Sequence, residues 1–171
     1  MIKNYYPSPL GLMEITLSLD GLVSITFVKN VDNKYKNLYS INFTCKQLYE
    51  LNKEVYNQLN EYFTGQRRNF NLPLAPAGTD FQKKVWQELL NIPYGETCSY
   101  GDIARALGKP GAARAVGRAN GKNPLPIVIP CHRVIGSNGE LKGYACGLWR
   151  KRWLIEHESY YSKQGQYRGL L

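Results

Sequence analysis

Residues 127–135 read Ile-Val-Ile-Pro-Cys-His-Arg-Val-Ile and set Cys131 between Pro130 and His132, at the end of an apolar, strand-like run. The thiolate is the reactive form of a cysteine, and a neighbouring base or cation makes it available by lowering a thiol pKa of about 8.5. His132 is such a base. Adjacent side chains on an extended strand point to opposite faces, so His132 serves Cys131 only across a bend or through a water. Taken alone, the pair is compatible with nucleophilic chemistry and with an inert core cysteine. The other cysteines, Cys45, Cys98 and Cys146, form no Cys-x-x-Cys pair, and the remaining histidine is His157. Neither a disulfide framework nor a metal site is expected from such spacing.

A chain of 171 residues, 43% apolar and 12% aromatic, can build one ordinary domain or two small ones. Lys and Arg outnumber Asp and Glu by 22 to 13, a formal charge of +9 that favours a polyanion and serves solubility equally well. Apolar runs fall far short of the roughly 20 residues that span a bilayer, and the N-terminus lacks a secretory signal pattern, so the expected location is the cytoplasm.

The elements that must position Cys131 follow from periodicity. Gly11–Ser18 and Leu22–Val28 flank the turn signal Asp20-Gly21 and predict a β-hairpin. Leu48, Leu51, Val55, Leu59 and Phe63 recur at helical spacing, and Gly65 ends that helix. Pro73, Pro76 and Gly78 break all periodicity, which puts a domain boundary after residue 78. Thr79 and Gln82 form a capping box for a helix that buries Phe81, Val85 and Leu89. Two short helices, Ser99–Leu107 and about Ala112–Asn120, flank Gly108-Lys109-Pro110-Gly111 in a helix-turn-helix pattern, with Ser99 as N-cap and Asp102 in the first turn. The second carries small residues between Arg114 and Arg118, so its backbone can approach a duplex closely. From Ser159 onward no periodicity remains, and residues 161–171 are expected to be a tail.

The block from Asn123 to Gly136 closely resembles the active-site segment of the O6-alkylguanine-DNA alkyltransferases, the methylated-DNA-protein-cysteine methyltransferases. The resemblance extends from Thr79 to Glu158 through Pro93-Tyr94-Gly95-Glu96-Thr97, Ser99-Tyr100, Ala113-Arg114-Ala115-Val116-Gly117 and His157-Glu158. It implies an α/β fold: a small N-terminal strand-plus-helix, RNase H-like domain over 1–78, then a mostly helical domain over 79–160 with the helix-turn-helix and the active site.

The resemblance also implies roles. Cys131 is the alkyl acceptor, His132 acts through a water as the base, and Glu158 holds the imidazole tautomer. Asn123 organises the turn before the reactive segment, and Tyr100 donates a proton or hydrogen bond to the departing guanine. Tyr144 walls the base pocket, with the backbone of Val134 and Ala145 reading the base edges. Because O6 is not open to in-line attack inside a duplex, the nucleotide must be flipped out. Arg114 then fills the gap, while Ser99, Ala115, Gly117 and Arg118 face DNA. The implied partner is double-stranded DNA carrying O6-alkylguanine, bound by a monomer with no cofactor and no membrane association, and O4-alkylthymine is left open as a second substrate.

Three other classes compete. Non-catalytic lesion-binding relatives replace the reactive cysteine, which Cys131 argues against. A helix-turn-helix regulator needs a dimer interface or effector domain that is not evident here. A cysteine hydrolase needs an oxyanion hole that nothing specifies. One departure from the family pattern is Tyr144-Ala145-Cys146-Gly147-Leu148, where Gly-Gly usually precedes Leu; Cys98, by contrast, suits a packed thiol. Cys146 is expected to narrow the pocket, so Cys146→Gly should speed repair of benzylated more than of methylated guanine. Equal rates of each substrate in the two proteins would contradict it.

Overall fold

The structure is a computed structural model and describes residues 1–28 and 45–168. The chain divides into two compact units, Met1–Ala77 and Gly78–Leu171.

In the first unit, β1 (Ile2–Ser8), β2 (Gly11–Ser18) and β3 (Gly21–Phe27) form an antiparallel meander in sequence order. The predicted hairpin is present, with Ser18 paired to Gly21, and β1 precedes it as a strand that sequence reasoning missed. Alternation along β2 buries Met13, Ile15 and Leu17, the pattern of a sheet covered on one face. The cover is α1 (Lys46–Phe63), whose buried residues are Leu48, Val55, Gln58, Leu59 and Tyr62, so Leu51 and Phe63 lie at the edge of the predicted stripe. Gly65, at φ 74°, ends α1 in a Schellman arrangement: its N–H donates to Tyr62 O and that of Gln66 to Glu61 O.

The Pro-rich segment is less of a free linker than its composition suggests. Gln58 is buried because its amide pairs with both backbone groups of Asn71. Leu22 N donates to Pro73 O, and Ala75 N to Leu22 O, so the segment is tied to the sheet.

The second unit opens with α2 (Asp80–Leu89), capped by the Thr79–Gln82 box. It buries Val85, Trp86 and Leu89; Phe81 is half-buried, and Trp86, absent from the sequence-derived face, donates its indole N–H to Ala119 O at 2.9 Å. The two-residue strand β4 (Cys98–Ser99) leads into α3 (Tyr100–Ala106), capped by Ser99 and Asp102 in a reciprocal box. Gly108, at φ 68°, stops α3, and a 3-10 turn at Pro110–Ala112 starts α4 (Ala113–Gly121). Strand β5 (Val134–Ile135) pairs in parallel with β4. Helix α5 (Leu148–Arg168) continues past Ser159, so the expected tail from 161 is helical through Arg168, while 169–171 lie outside the described residues. No helix among the described residues is long and apolar enough to cross a membrane.

Gly21 is the sharpest backbone constraint of the first unit. Its φ is 140°, and a Cβ there would sit 2.3 Å from Pro73 O. Gly21→Ala should lower stability by about 1–3 kcal/mol, read as a shift of the urea midpoint, through overpacking against a backbone atom that cannot yield locally.

Candidate active site

The segment before Cys131 is a tight turn rather than the strand its apolar run predicts. Pro124, Pro126 and Pro130 have no amide hydrogen for a ladder. Asn123 supplies the missing organisation: its Nδ2 donates to Ile129 O at 2.8 Å, and its Oδ1 accepts from Leu125 N at 3.0 Å. Ile129 N closes the turn onto Leu125 O at 2.8 Å. The cost shows at Ile127, a buried β-branched residue held at φ 77°, where such side chains are outliers.

The turn delivers Cys131, His132 and Arg133 into one 3-10 turn in which all three are buried. His132 Nε2 lies 2.9 Å from Glu158 Oε1, and His132 Nδ1 is buried without a hydrogen-bond partner among the described residues. Arg133, which the sequence did not single out, grips the same carboxylate with Nε at 2.8 Å and Nη2 at 2.9 Å. Its Nη1 donates to Ile92 O at 2.7 Å, and its guanidinium lies over the Tyr94 ring. Gly95 N donates to Glu158 Oε2 at 3.1 Å; at φ 81°, with a would-be Cβ 2.8 Å from Ser162 Cβ, this position requires glycine. The Pro-Tyr-Gly motif therefore serves the carboxylate.

Burial by itself raises the Glu158 carboxyl pKa, but the hydrogen bonds and charges of His132 and Arg133 outweigh it and hold it well below the usual carboxylate range. For His132 burial dominates and lowers the pKa, opposed by Glu158, so the ring is neutral in the resting chain. Burial also pushes the Cys131 thiol up to about 12, against a hydrogen bond from Asn123 and the positive charge of Lys151. Cys131 thus rests as a thiol.

Lys151 is the second residue missed. It is fully buried on α5, with Nζ donating to Val134 O at 2.6 Å and Lys142 O at 2.7 Å, and lies 5.8 Å from the centre of the Tyr100 ring. Burial pushes its ammonium down to about 8. The signal in the sequence was helical phase: Lys151, Leu154 and Glu158 share the buried face of α5. Lys142 O also accepts from the Tyr100 hydroxyl at 3.0 Å. Tyr144 is buried, with burial first and Cys131 second raising its phenol pKa, whereas Ala145 is exposed. Cys146 is half-buried and electrostatically felt at Cys131; burial raises its thiol pKa, against Arg150, which holds the Cys146 carbonyl at 2.7 Å.

A groove of about 660 Å³ opens beside Tyr100. Ser99, Tyr100, Arg114 and Gly117 line it, joined by Arg105, Ser137, Asn138 and Lys142, which the sequence did not suggest. Ala115 and Arg118 are not among its lining residues; Arg118 is exposed on α4. Gly117 faces Tyr100: a Cβ added there would reach ordinary contact with the ring at 3.7 Å.

A buried thiol turn, a carboxylate-held histidine and a helix pair beside an open groove are the parts that a cysteine-based transfer protein brings together. The chain belongs to the 6-O-methylguanine DNA methyltransferase family: residues 1–76 match its ribonuclease-like domain and 80–160 its DNA binding domain. It is 44% identical to the methylated-DNA–protein-cysteine methyltransferase of Methanosarcina acetivorans, over 90% of this chain and 95% of that one. With the same-named protein of Mycobacterium bovis it is 60% identical over 59% of this chain and 61% of the relative. The crystal structure of Mycobacterium tuberculosis O6-methylguanine methyltransferase superposes with a TM-score of 0.78 at 41% identity, covering 93% of each chain. The structure of the M. tuberculosis protein in complex with DNA gives 0.79 at 41% identity and the same coverage.

Arg133→Met should cost about 3–5 kcal/mol, because it strands a buried carboxylate with half its partners. Glu158 and His132 both bind fewer protons folded than unfolded, so their contribution is complete above their unfolded values of about 4.3 and 6.5 and is lost as pH falls. Urea midpoints should fall from about pH 6.5 downward as unfolded His132 charges, and more steeply below about pH 4.3, with Glu158→Gln removing the lower limb.

Proposed function

We propose that this chain repairs DNA by direct reversal, moving a methyl or other alkyl group from O6-alkylguanine in duplex DNA onto Cys131 in one irreversible turnover. The observation that carries this function is the His132–Glu158 pair beside Cys131. With Nε2 committed to the carboxylate, the ring proton stays there, and Nδ1 keeps a lone pair for the thiol proton.

In the transfer, the Cys131 proton passes through a water to His132 Nδ1, and Glu158 balances the imidazolium. The sulfur attacks the alkyl carbon in line with the breaking C–O6 bond, and the bonding pair leaves on the guanine. Tyr100 stabilises that developing charge by donating to the base, exchanging Lys142 O for a new acceptor. Lys151 remains on Lys142 O during the exchange, so the carbonyl keeps a donor. Tyr144 forms the pocket wall, and the Val134 and Ala145 backbone supplies hydrogen bonds to the base edge; the Val134 N–H already donates to Cys131 O, so Val134 O, with one lone pair on Lys151, offers its second together with the Ala145 peptide. The product is a thioether, which has no route back to a thiol, and the alkyl donor is the lesion itself, so no cofactor is required.

Reaching O6 requires base flipping. Helices α3 and α4 act as the helix-turn-helix, with Ala115 and Gly117 allowing close approach, Arg114 entering the stack, and Ser99 and Arg118 facing the backbone. The M. tuberculosis relative's complex with DNA supports a duplex as partner. The same proposal assigns residues 1–78 to a supporting domain and 79–160 to the transferase domain, in a monomeric cytoplasmic protein.

Incubation with a duplex carrying O6-methylguanine should add one methyl group per chain, mapped to Cys131 by peptide mass and absent in Cys131→Ala. Tight lesion binding without a mass gain would instead make the protein a lesion sensor. Arg118→Ala should weaken duplex binding alike for all sequences and reduce the salt slope by about 1, the signature of one lost phosphate contact.

A further inference from the structure

Asn120 lies on the last turn of α4 and is 2% exposed. A polar side chain so deeply buried is expected to have its hydrogen bonds satisfied, or to have a reason when they are not. Its Nδ2 donates to Cys131 O at 3.3 Å, which fixes which end of the amide faces the reactive turn. Its Oδ1 is buried without a hydrogen-bond partner among the described residues. The Tyr144 hydroxyl and His132 Nδ1 are likewise buried without a hydrogen-bond partner among the described residues, and of these it is His132 Nδ1 that joins Asn120 Oδ1 on the backbone of the reactive turn. The two atoms therefore belong to side chains that meet at a single peptide unit, Cys131–His132, one bonded to its carbonyl and the other borne by its nitrogen side.

We propose that Asn120 is a positioning residue for the transfer, its amide holding the Cys131 carbonyl while its buried Oδ1, together with His132 Nδ1, anchors the water that relays the thiol proton. A buried water is stable where two to four polar groups converge, and an acceptor beside Nδ1 solves an orientation problem. The relay water must receive a proton from Cys131 and present one to Nδ1. Asn120 Oδ1 takes the water's second hydrogen, which directs a lone pair at the thiol and the first hydrogen at the histidine. Because Nδ2 is locked on the backbone, the amide cannot rotate to offer a donor instead. This rests on Cys131 and His132 acting as proposed above; Asn120 itself touches neither lesion nor alkyl group.

The pair Asn120→Thr and Asn120→Val separates the oxygen from the shape, because the two side chains differ by a hydroxyl in place of a methyl and both lose the amide donor. The single-turnover rate on O6-methylguanine duplex should be about tenfold or more higher for Thr than for Val at pH 7, with the gap closing as pH rises and hydroxide replaces the relay. Lesion affinity, measured with each change in a Cys131→Ala background, should agree within about twofold, since a positioning role acts on the proton and not on binding. Equal rates and parallel pH profiles for Thr and Val overturn the proposal. Should neither variant fold, the nitrogen-15 shift of His132 Nδ1 in the unaltered protein decides: a hydrogen-bonded acceptor is expected, and a bare lone pair overturns it. Failure of the underlying function shows separately, as no methyl on Cys131 of the unaltered protein.

Discussion

One buried carboxylate organises the second unit. Glu158 accepts from His132 Nε2, from Nε and Nη2 of Arg133 and from Gly95 N. An ion taken from water is tolerated only when charge and hydrogen bonds replace what hydration supplied. Meeting that demand pulls together α5, the 3-10 turn of Cys131 and the Pro93–Thr97 loop. The same demand fixes the histidine: two donors from arginine anchor the carboxylate, and the anchored carboxylate orients the ring. The orientation of the His132 ring and the packing of these three segments therefore rest on one group.

The reactive turn is arranged by constraint rather than by regular structure. Prolines deny it a ladder, Asn123 bonds its backbone groups, and Ile127 adopts a conformation that only an over-determined surrounding can hold. A cysteine placed this way is buried and protonated at rest, protected from adventitious chemistry. The parallel pairing of β4 with β5 carries the constraint onward, because it joins the residues after Cys131 to the N-cap of the helix that begins with Tyr100. Cys131, His132 and Tyr100 are thereby fixed relative to each other through backbone bonds. Lys151 and Tyr100 share the Lys142 carbonyl at the edge of the groove, which holds the phenol hydroxyl in place there.

Much of this was legible in the chain. Capping boxes at Thr79 and Ser99 are written in residues three apart, and glycine at 65 and 108 marks helix ends because left-handed backbone is costly for other residues. The hairpin showed itself in alternation and a turn dipeptide. The first strand escaped because Tyr5, Tyr6 and Pro7 blur its alternation, and the helical end of the chain escaped because its buried face alternates charged with apolar residues. The apolar run before Cys131 misled for a related reason: periodicity cannot distinguish a short buried strand from a turn whose bonds come from a side chain six residues away.

By itself the sequence determined the local elements, their caps and breaks, and, through its motifs, the family and the candidate pair Cys131 and His132. Tertiary structure alone decided which charges share a site. Arg133 beside a reactive histidine looks like a surface cation, and Lys151 like a solubilising lysine, until α5 packs against the turn and buries both. Burial is a property of the assembled unit, and in a low-dielectric interior it converts ordinary charges into obligate partners, so their roles could not be read from residue type or spacing.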